Sequence, residues 1–132
     1  MENLVLTDVH SRYEVDLRKR LFDFSVKTIR FLGTLPYKKE YDVFRYQLSK
    51  SATSIGANYE EAQTSTQKEF IQKVRIALRE ANETNYWLRL LDELNAGISE
   101  DCKQLIKESK EIALILGSIL VKIEKRLNQN NG

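Results

Sequence analysis

Apolar residues recur at steps of three and four along four separate segments of the chain, residues 13–32, 40–63, 67–95 and 99–127. Such spacing places them on one side of a helix, so each segment is predicted to form an amphipathic helix. The stripes of the first two segments are Leu17, Leu21, Phe24, Thr28 and Phe31, and then Phe44, Leu48, Ala52, Ile55, Tyr59 and Ala62.

Helix-breaking residues lie between these segments rather than within them. Gly97 ends the third segment, and Thr66 and Glu69 match the capping box, in which each side chain satisfies a backbone N–H of the first turn. Short connections favour antiparallel neighbours. The sequence therefore predicts an all-α fold, an antiparallel up-down-up-down four-helix bundle.

The length of the chain suits one domain with one core, so residues 1–132 are predicted to form a single domain. Residues 1–10 and 128–132 fall outside the periodic segments, and we expect these ends to be flexible.

The third and fourth segments are apolar on a second side as well. A helix of this kind is usually buried on more than one side, and large exposed apolar patches are uncommon on soluble monomers. We therefore expect a homo-oligomer; the alternative is a broad single core with a few exposed apolar residues. The first stripes are Phe70, Val74, Ala77, Ala81, Leu88 and Leu91, and Leu105, Ile112, Leu116, Ile119 and Ile123. The second stripes are Ile76, Glu80, Trp87 and Leu94, beside Glu83 and Leu90, and Ala113, Ile115, Gly117 and Val121.

Few residues in the chain are suited to catalysis or metal binding. His10 is the only histidine and Cys102 the only cysteine, which excludes a disulfide framework and a Cys/His zinc site within one chain. Cys102 has no histidine nearby in the pattern to act as a base. We therefore expect no catalytic residue, no metal site and no cofactor.

The first residues do not have the charged start and apolar core of a signal peptide, so we expect none, and no apolar run in the sequence is long enough to span a membrane. We expect a cytoplasmic protein with no membrane partner.

The second helix carries a polar line beside its apolar stripe. Ser51 and Asn58 lie on the edge of the stripe, and Ser54 and Glu61 flank that edge. Gly56 lies on the other side, where a missing side chain lets a neighbouring backbone approach. Small and hydrogen-bonding residues in this arrangement indicate a packed contact, either with Glu80 or Asn85 of the third helix or with a second subunit.

These two helices resemble a known family. The stretch SATSIGANYEEAQTSTQKEFIQKVRIALREANETNYWLRLL, residues 51–91, is similar to the signature of the 23S rRNA-intervening-sequence proteins, also called the S23 ribosomal protein family. Tyr59 stands where the family usually has isoleucine, and Ala62 stands where its commoner branch has glycine. The motif positions that we assign to packing or to an interface are Ser54, Asn58, Glu61, Glu80, Glu83 and Trp87.

The resemblance implies a non-enzymatic bundle that assembles as a ring, often a pentamer, in agreement with the extra apolar sides. The chain is also distantly similar to the accessory variability determinant of diversity-generating retroelements, a pentameric barrel that binds nucleic acid and a reverse transcriptase. A ring with nucleic acid or a protein as its partner is therefore the expectation.

The first third of the chain is basic, although the net charge is only +2. We predict a scaffold that binds structured RNA or DNA through this region and the PYKK loop, because a ring repeats the cluster and phosphate binding grows with the number of neutralised charges. The alternatives are an ordinary solvated helix face and a protein-interaction module that binds no nucleic acid. The candidate nucleic-acid-binding residues are Arg18, Lys19, Lys27, Arg30, Lys38 and Lys39.

Overall fold

A computed structural model describes the backbone of residues 3–131 and the side chains of residues 17–130. Within this part the chain forms four α-helices and no strand, which confirms the predicted all-α class. The helices are α1 (Asn3–Leu32), α2 (Asp42–Ala62), α3 (Gln67–Glu93) and α4 (Ser99–Asn131), and a short 3-10 helix (Lys39–Tyr41) precedes α2.

The outer helices are longer than the apolar pattern indicates. Helix α1 begins at Asn3 rather than near Tyr13, and α4 continues to Asn131. Residues 3–10 and 128–131, which we expected to be flexible ends, thus lie within helices, because no proline or glycine interrupts these stretches. The other end residues, 1, 2 and 132, lie outside the described backbone.

Hydrogen-bonded side chains show that successive helices run antiparallel. Thr84 of α3 contacts Ser51 near the middle of α2, while Lys73, earlier in α3, pairs with Glu61 at the end of α2. The same reversed order, in which later residues of one helix contact earlier residues of its neighbour, is found for three further pairs of helices: α1 with α2, α3 with α4, and α1 with α4. Over the described residues, α1 and α3 do not pack on each other, so they lie diagonally across the bundle.

The core contains most of the apolar stripes that the sequence predicts, but Phe70 of α3 and Ile119 and Ile123 of α4 are only half-buried. The α2 stripe from Phe44 to Ala62 is buried throughout, and Leu21, Phe24 and Thr28 of α1 are buried against it. Thr28 Oγ1 donates a hydrogen bond to the Phe24 carbonyl, so its hydroxyl is satisfied within its own helix.

The connections place the helix ends as the sequence predicts. Thr66 is the N-cap of α3, and its Oγ1 accepts a hydrogen bond from the Glu69 backbone N–H at 3.3 Å. The Glu69 carboxylate accepts from Thr66 Oγ1 at 3.1 Å rather than from the Thr66 backbone N–H, so only one half of the predicted capping box forms. The α3–α4 turn contains Asn95 and Gly97, both with positive φ. A Cβ on Gly97 would lie 2.9 Å from the Phe31 ring and from Thr34 Oγ1, so glycine lets this turn close onto the end of α1.

The second apolar stripe of α3 is partly covered within one chain. The Trp87 ring packs edge-on against Phe44 of α2 with centroids 5.8 Å apart. Ile76 and Leu90 are half-buried, whereas Leu94 is exposed. Because α3 packs against both α2 and α4, it needs a wider apolar surface than a helix with one neighbour.

No helix in the described part of the chain is long and apolar enough to cross a membrane.

Candidate functional site

The predicted basic residues of α1 divide into paired and unpaired cations. Arg18 donates to both carboxylate oxygens of Glu60 on α2, at 3.1 and 2.6 Å, and Lys19 pairs with Asp23 at 2.8 Å. The Arg18 guanidinium lowers the pKa of Glu60, and the Asp23 carboxylate raises the pKa of Lys19. These two cations are therefore largely neutralised, and the sequence pattern alone could not identify Glu60 as the partner of Arg18.

Lys27, Arg30, Lys38 and Lys39 form no ion pair with any described side chain. All four are exposed, and we call them the free basic group. Tyr37, beside Lys38, is 95% exposed, and the Arg45 guanidinium lies 5.3 Å from its ring centroid. The group thus combines unpaired cations with an accessible aromatic ring.

Lys27 and Arg30 border a groove of about 800 Å³ between α1 and α4. Arg20 spans this groove, donating to Glu108 at 2.7 and 2.6 Å and to Glu111 at 2.5 Å. Hydrogen bonds from Arg20 to these carboxylates raise the pKa of its guanidinium. Arg20 therefore ties α1 to α4 rather than offering its charge to a ligand.

The polar line of α2 contacts α3 through a residue that the sequence argument missed. Thr84 Oγ1 lies 2.8 Å from Ser51 Oγ and 2.8 Å from the Glu80 carbonyl, and both hydroxyls are fully buried. Asn85, one of the two predicted partners, instead donates to Ser109 Oγ of α4 at 3.0 Å. Neighbouring positions of a helix are rotated by ~100°, so Thr84 points towards α2 and Asn85 towards α4. Thr84 has the same spacing as the core residues Ala77, Ala81, Leu88 and Leu91, which is the signal that could have identified it.

The other polar residues of α2 satisfy themselves locally or reach α3 at the surface. Asn58 Nδ2 donates to the Ser54 carbonyl at 2.8 Å, and Ser54 Oγ donates to the Lys50 carbonyl at 2.6 Å. Glu61 pairs with Lys73 of α3 at 2.6 Å. These residues are half-buried or exposed, so they form an accessible strip beside α3.

Two glutamates and Trp87 continue this strip on α3. Trp87 Nε1 donates to Glu83 Oε2 at 3.2 Å. Burial raises the pKa of Glu80, and the nearby Glu83 charge adds to that effect, while Lys50 and Arg79 oppose it. Arg75, which lies on the same helix, pairs with Glu124 of α4 rather than with either glutamate. The α2–α3 face, as we call this surface, holds Ser54, Asn58, Glu61, Glu80, Glu83, Trp87, Leu90 and Leu94.

A second surface lies on the outer side of α3 and α4. This α3–α4 groove, of about 1000 Å³, has an apolar floor that includes Leu114, 66% exposed, and Val121, 50% exposed. A Cβ on Gly117 would meet no described atom within 4 Å, so the groove is open at this position. None of the described carboxylates lines the groove, and its cations are Arg89, Lys110, Lys122 and Lys125.

Cys102, the one nucleophile that the sequence analysis considered, is buried and hydrogen-bonded. Cys102 Sγ donates to the Leu88 carbonyl at 3.3 Å, and burial, with the Asp92 charge, raises the pKa of this thiol to about 11. Its position in the first turn of α4 therefore does not activate it. Among the described residues, no group of three or more His, Cys, Asp or Glu side chains is placed to hold a metal ion.

Comparison with known proteins supports the family resemblance of α2 and α3. The sequence model for 23S rRNA-intervening sequence proteins matches residues 13–118. A crystal structure from Bacteroides thetaiotaomicron, described as a protein with unknown function from the S23 ribosomal protein family, is 36% identical with a TM-score of 0.71. That match covers 79% of this chain and 97% of the other. No curated protein matches the chain. The chain therefore belongs to the 23S rRNA-intervening sequence protein family.

Proposed function

We propose that the protein is a non-enzymatic, homo-oligomeric helical scaffold that binds structured RNA or DNA through the free basic group. The observation that carries this proposal is that Lys27, Arg30, Lys38 and Lys39 are exposed and unpaired among the described residues. Unpaired cations can neutralise phosphates without first breaking an internal ion pair, and each such contact releases condensed counterions.

Repetition in an oligomer supports the proposal. The net charge of one chain is small, but several copies present the free basic group repeatedly, and linked weak contacts bind far more tightly than single ones. The exposed Tyr37 adds an aromatic ring on which an unpaired base can stack. By resemblance to its family, we expect a cytoplasmic ring of five copies.

The α1 helix offers a matched pair of variants for testing this function. Lys27→Gln/Arg30→Gln removes two unpaired cations, whereas Arg18→Gln/Lys19→Gln removes two cations that are already paired. Fluorescence anisotropy with a labelled RNA hairpin and a DNA duplex would measure affinity over a salt series. We expect the first variant to bind about tenfold or more weakly at low salt, and the second to change much less.

The salt dependence separates phosphate binding from an indirect effect on folding. For duplex DNA, the slope of log K against log salt should become shallower by about 0.9 for each phosphate that the variant no longer neutralises. Equally weakened binding by the two variants, or no nucleic-acid binding by the unmodified protein, would refute the proposal.

A protein-interaction module without nucleic-acid binding is the second candidate. Phe22, 68% exposed, and Ile29 lie on α1 outside the core, and apolar side chains of this kind suit a protein partner rather than a phosphate. A specific protein that is recovered with the unmodified chain and with Lys27→Gln/Arg30→Gln, but not with Phe22→Ser, would favour this second function.

A further inference from the structure

The α3–α4 groove has the character of a binding surface rather than of solvated surface. Its floor is apolar, with Leu114 and Val121 half or more exposed, and its charged lining is entirely basic among the described residues. Lys110, Lys122 and Lys125 form no ion pair with any described side chain. An occupant that covers the floor must therefore be apolar in its centre and acidic at its edge.

The α2–α3 face of the same chain has this complementary character. Glu80 and Glu83 lie one turn apart beside the half-buried Trp87 and Leu90 and the exposed Leu94. No described side chain donates a hydrogen bond to the Glu80 carboxylate, and Glu83 accepts one only from Trp87 within the described part of the chain. The Lys50 and Arg79 charges act on Glu80 without forming an ion pair with it, so both carboxylates can still pair with cations of another molecule.

We propose that the α3–α4 groove of one copy receives the α2–α3 face of a second copy. Glu80 and Glu83 of one protomer then face the lysines of the groove, while Leu90 and Leu94 cover its apolar floor. This inference rests on the homo-oligomeric part of the proposed function and identifies the surfaces that would form it.

The positions of the two surfaces favour a closed ring. They are different surfaces, so the contact is heterologous, and such contacts close into rings or continue as filaments according to the rotation between copies. Both surfaces include α3 and lie on adjacent sides of a four-helix bundle, roughly at a right angle. At that angle neighbouring copies are related by a large rotation, and with no rise along the axis such a contact closes into a small ring.

Charge reversal on each surface, followed by their combination, would test the contact. Lys110→Glu/Lys122→Glu reverses charges in the α3–α4 groove, and Glu80→Lys/Glu83→Lys reverses charges on the α2–α3 face. We expect each pair alone to raise the concentration needed for assembly about 100-fold or more, because like charges then face each other. The chain that carries all four changes should recover the assembly of the unmodified protein, because opposite charges face each other again.

Native mass spectrometry and light scattering would report the mass relative to the 15.4 kDa monomer, and circular dichroism would confirm that each variant is helical. The control for assembly is Lys27→Glu/Arg30→Glu, which reverses two charges on α1, a helix that belongs to neither surface; it should leave assembly unchanged while weakening nucleic-acid binding. Glu80→Gln/Glu83→Gln provides a milder change should the lysine variant unfold, and we expect about tenfold weaker assembly from it.

The outcomes separate this inference from the proposed function. An unmodified protein that assembles and is insensitive to both reversals, or a combined variant that does not recover, would overturn the groove contact while leaving the oligomer in place. A monomeric unmodified protein would overturn both. A monomer that binds an acidic protein only while Lys110 and Lys122 are present would assign the groove to that protein and overturn the contact between copies.

Discussion

Gly56, in the middle of α2, provides a quantitative test of how α1 and α2 pack. A Cβ at this position would lie 3.5 Å from Leu21 Cβ and 3.7 Å from the Leu21 carbonyl carbon and oxygen. These are ordinary van der Waals distances. The approach of a neighbouring backbone that the sequence predicted is therefore present, but it leaves room for one methyl group.

Gly56→Ala should consequently stabilise the protein. Glycine within a helix costs about 0.8–1.0 kcal/mol relative to alanine, and no clash opposes this gain. We expect the free energy of unfolding to rise by about 0.5–1 kcal/mol, and the melting temperature to rise by about 2–5 °C for a domain of this size.

The matched comparison is Gly97→Ala, where the added Cβ would lie 2.9 Å from Phe31 and Thr34 in a backbone with φ of 75°. Strain and the clash together should lower stability by about 2 kcal/mol or more. Urea denaturation followed by circular dichroism would measure both variants. A loss of stability in Gly56→Ala would contradict the spacing described for α1 and α2, and no loss in Gly97→Ala would contradict the conformation described for the α3–α4 turn.

Three further predictions concern buried and bridging groups. Thr84→Val should cost about 1–2 kcal/mol of folding stability, because the buried Ser51 hydroxyl loses the Thr84 hydrogen bond and keeps only a 3.4 Å contact with the Leu48 carbonyl. Thr84→Val/Ser51→Ala should cost less, and urea titrations would compare the two variants. Raised from near 9 to about 11, the pKa of Cys102 favours the neutral thiol in the folded state. The stability that this group contributes is thus present below pH 9 and is lost as pH rises towards 11. Melting temperatures measured against pH should therefore fall less steeply over this range for Cys102→Ala than for the unmodified protein. Arg20→Gln should lower stability by about 1 kcal/mol at low salt and less in about 1 M salt, because its pairs with Glu108 and Glu111 are partly exposed; an effect independent of salt would contradict this reasoning.

The fold was predictable because each helix has a local signal for its existence and for most of its limits. The α2 stripe from Phe44 to Ala62 has helical spacing, Thr66 caps α3, and Gly97 permits the left-handed turn before α4. Each of these features depends on residues close together in sequence, so the pattern was sufficient.

The site was less predictable because its character depends on contacts between distant residues. Nothing near Arg18 indicates that Glu60, 42 positions away, neutralises it, and the partner of Ser51 is 33 positions away. Even ion pairs between residues one turn apart differ from one lysine to the next. Lys19 pairs with Asp23, one turn away, whereas Lys27 forms no such pair within the described part of the chain. A list of basic residues therefore overstated the number of cations available to a ligand.

The two proposals are compatible because they use opposite sides of the bundle. Helix α3 belongs to both of the surfaces proposed to join neighbouring copies, and it lies diagonally opposite α1. In a ring closed through those surfaces, α3 faces the axis and α1 lies on the outside, where Lys27 and Arg30 remain accessible. Assembly would then align the free basic group of every copy along one outer band, which is the arrangement that makes repeated weak phosphate contacts additive.

This arrangement predicts which variants affect which property. Breaking the α3–α4 groove contact should weaken nucleic-acid binding as well as assembly, whereas Lys27→Gln/Arg30→Gln should weaken nucleic-acid binding alone. Strong nucleic-acid binding retained by a monomeric Lys110→Glu/Lys122→Glu variant would separate the two properties and refute this coupling.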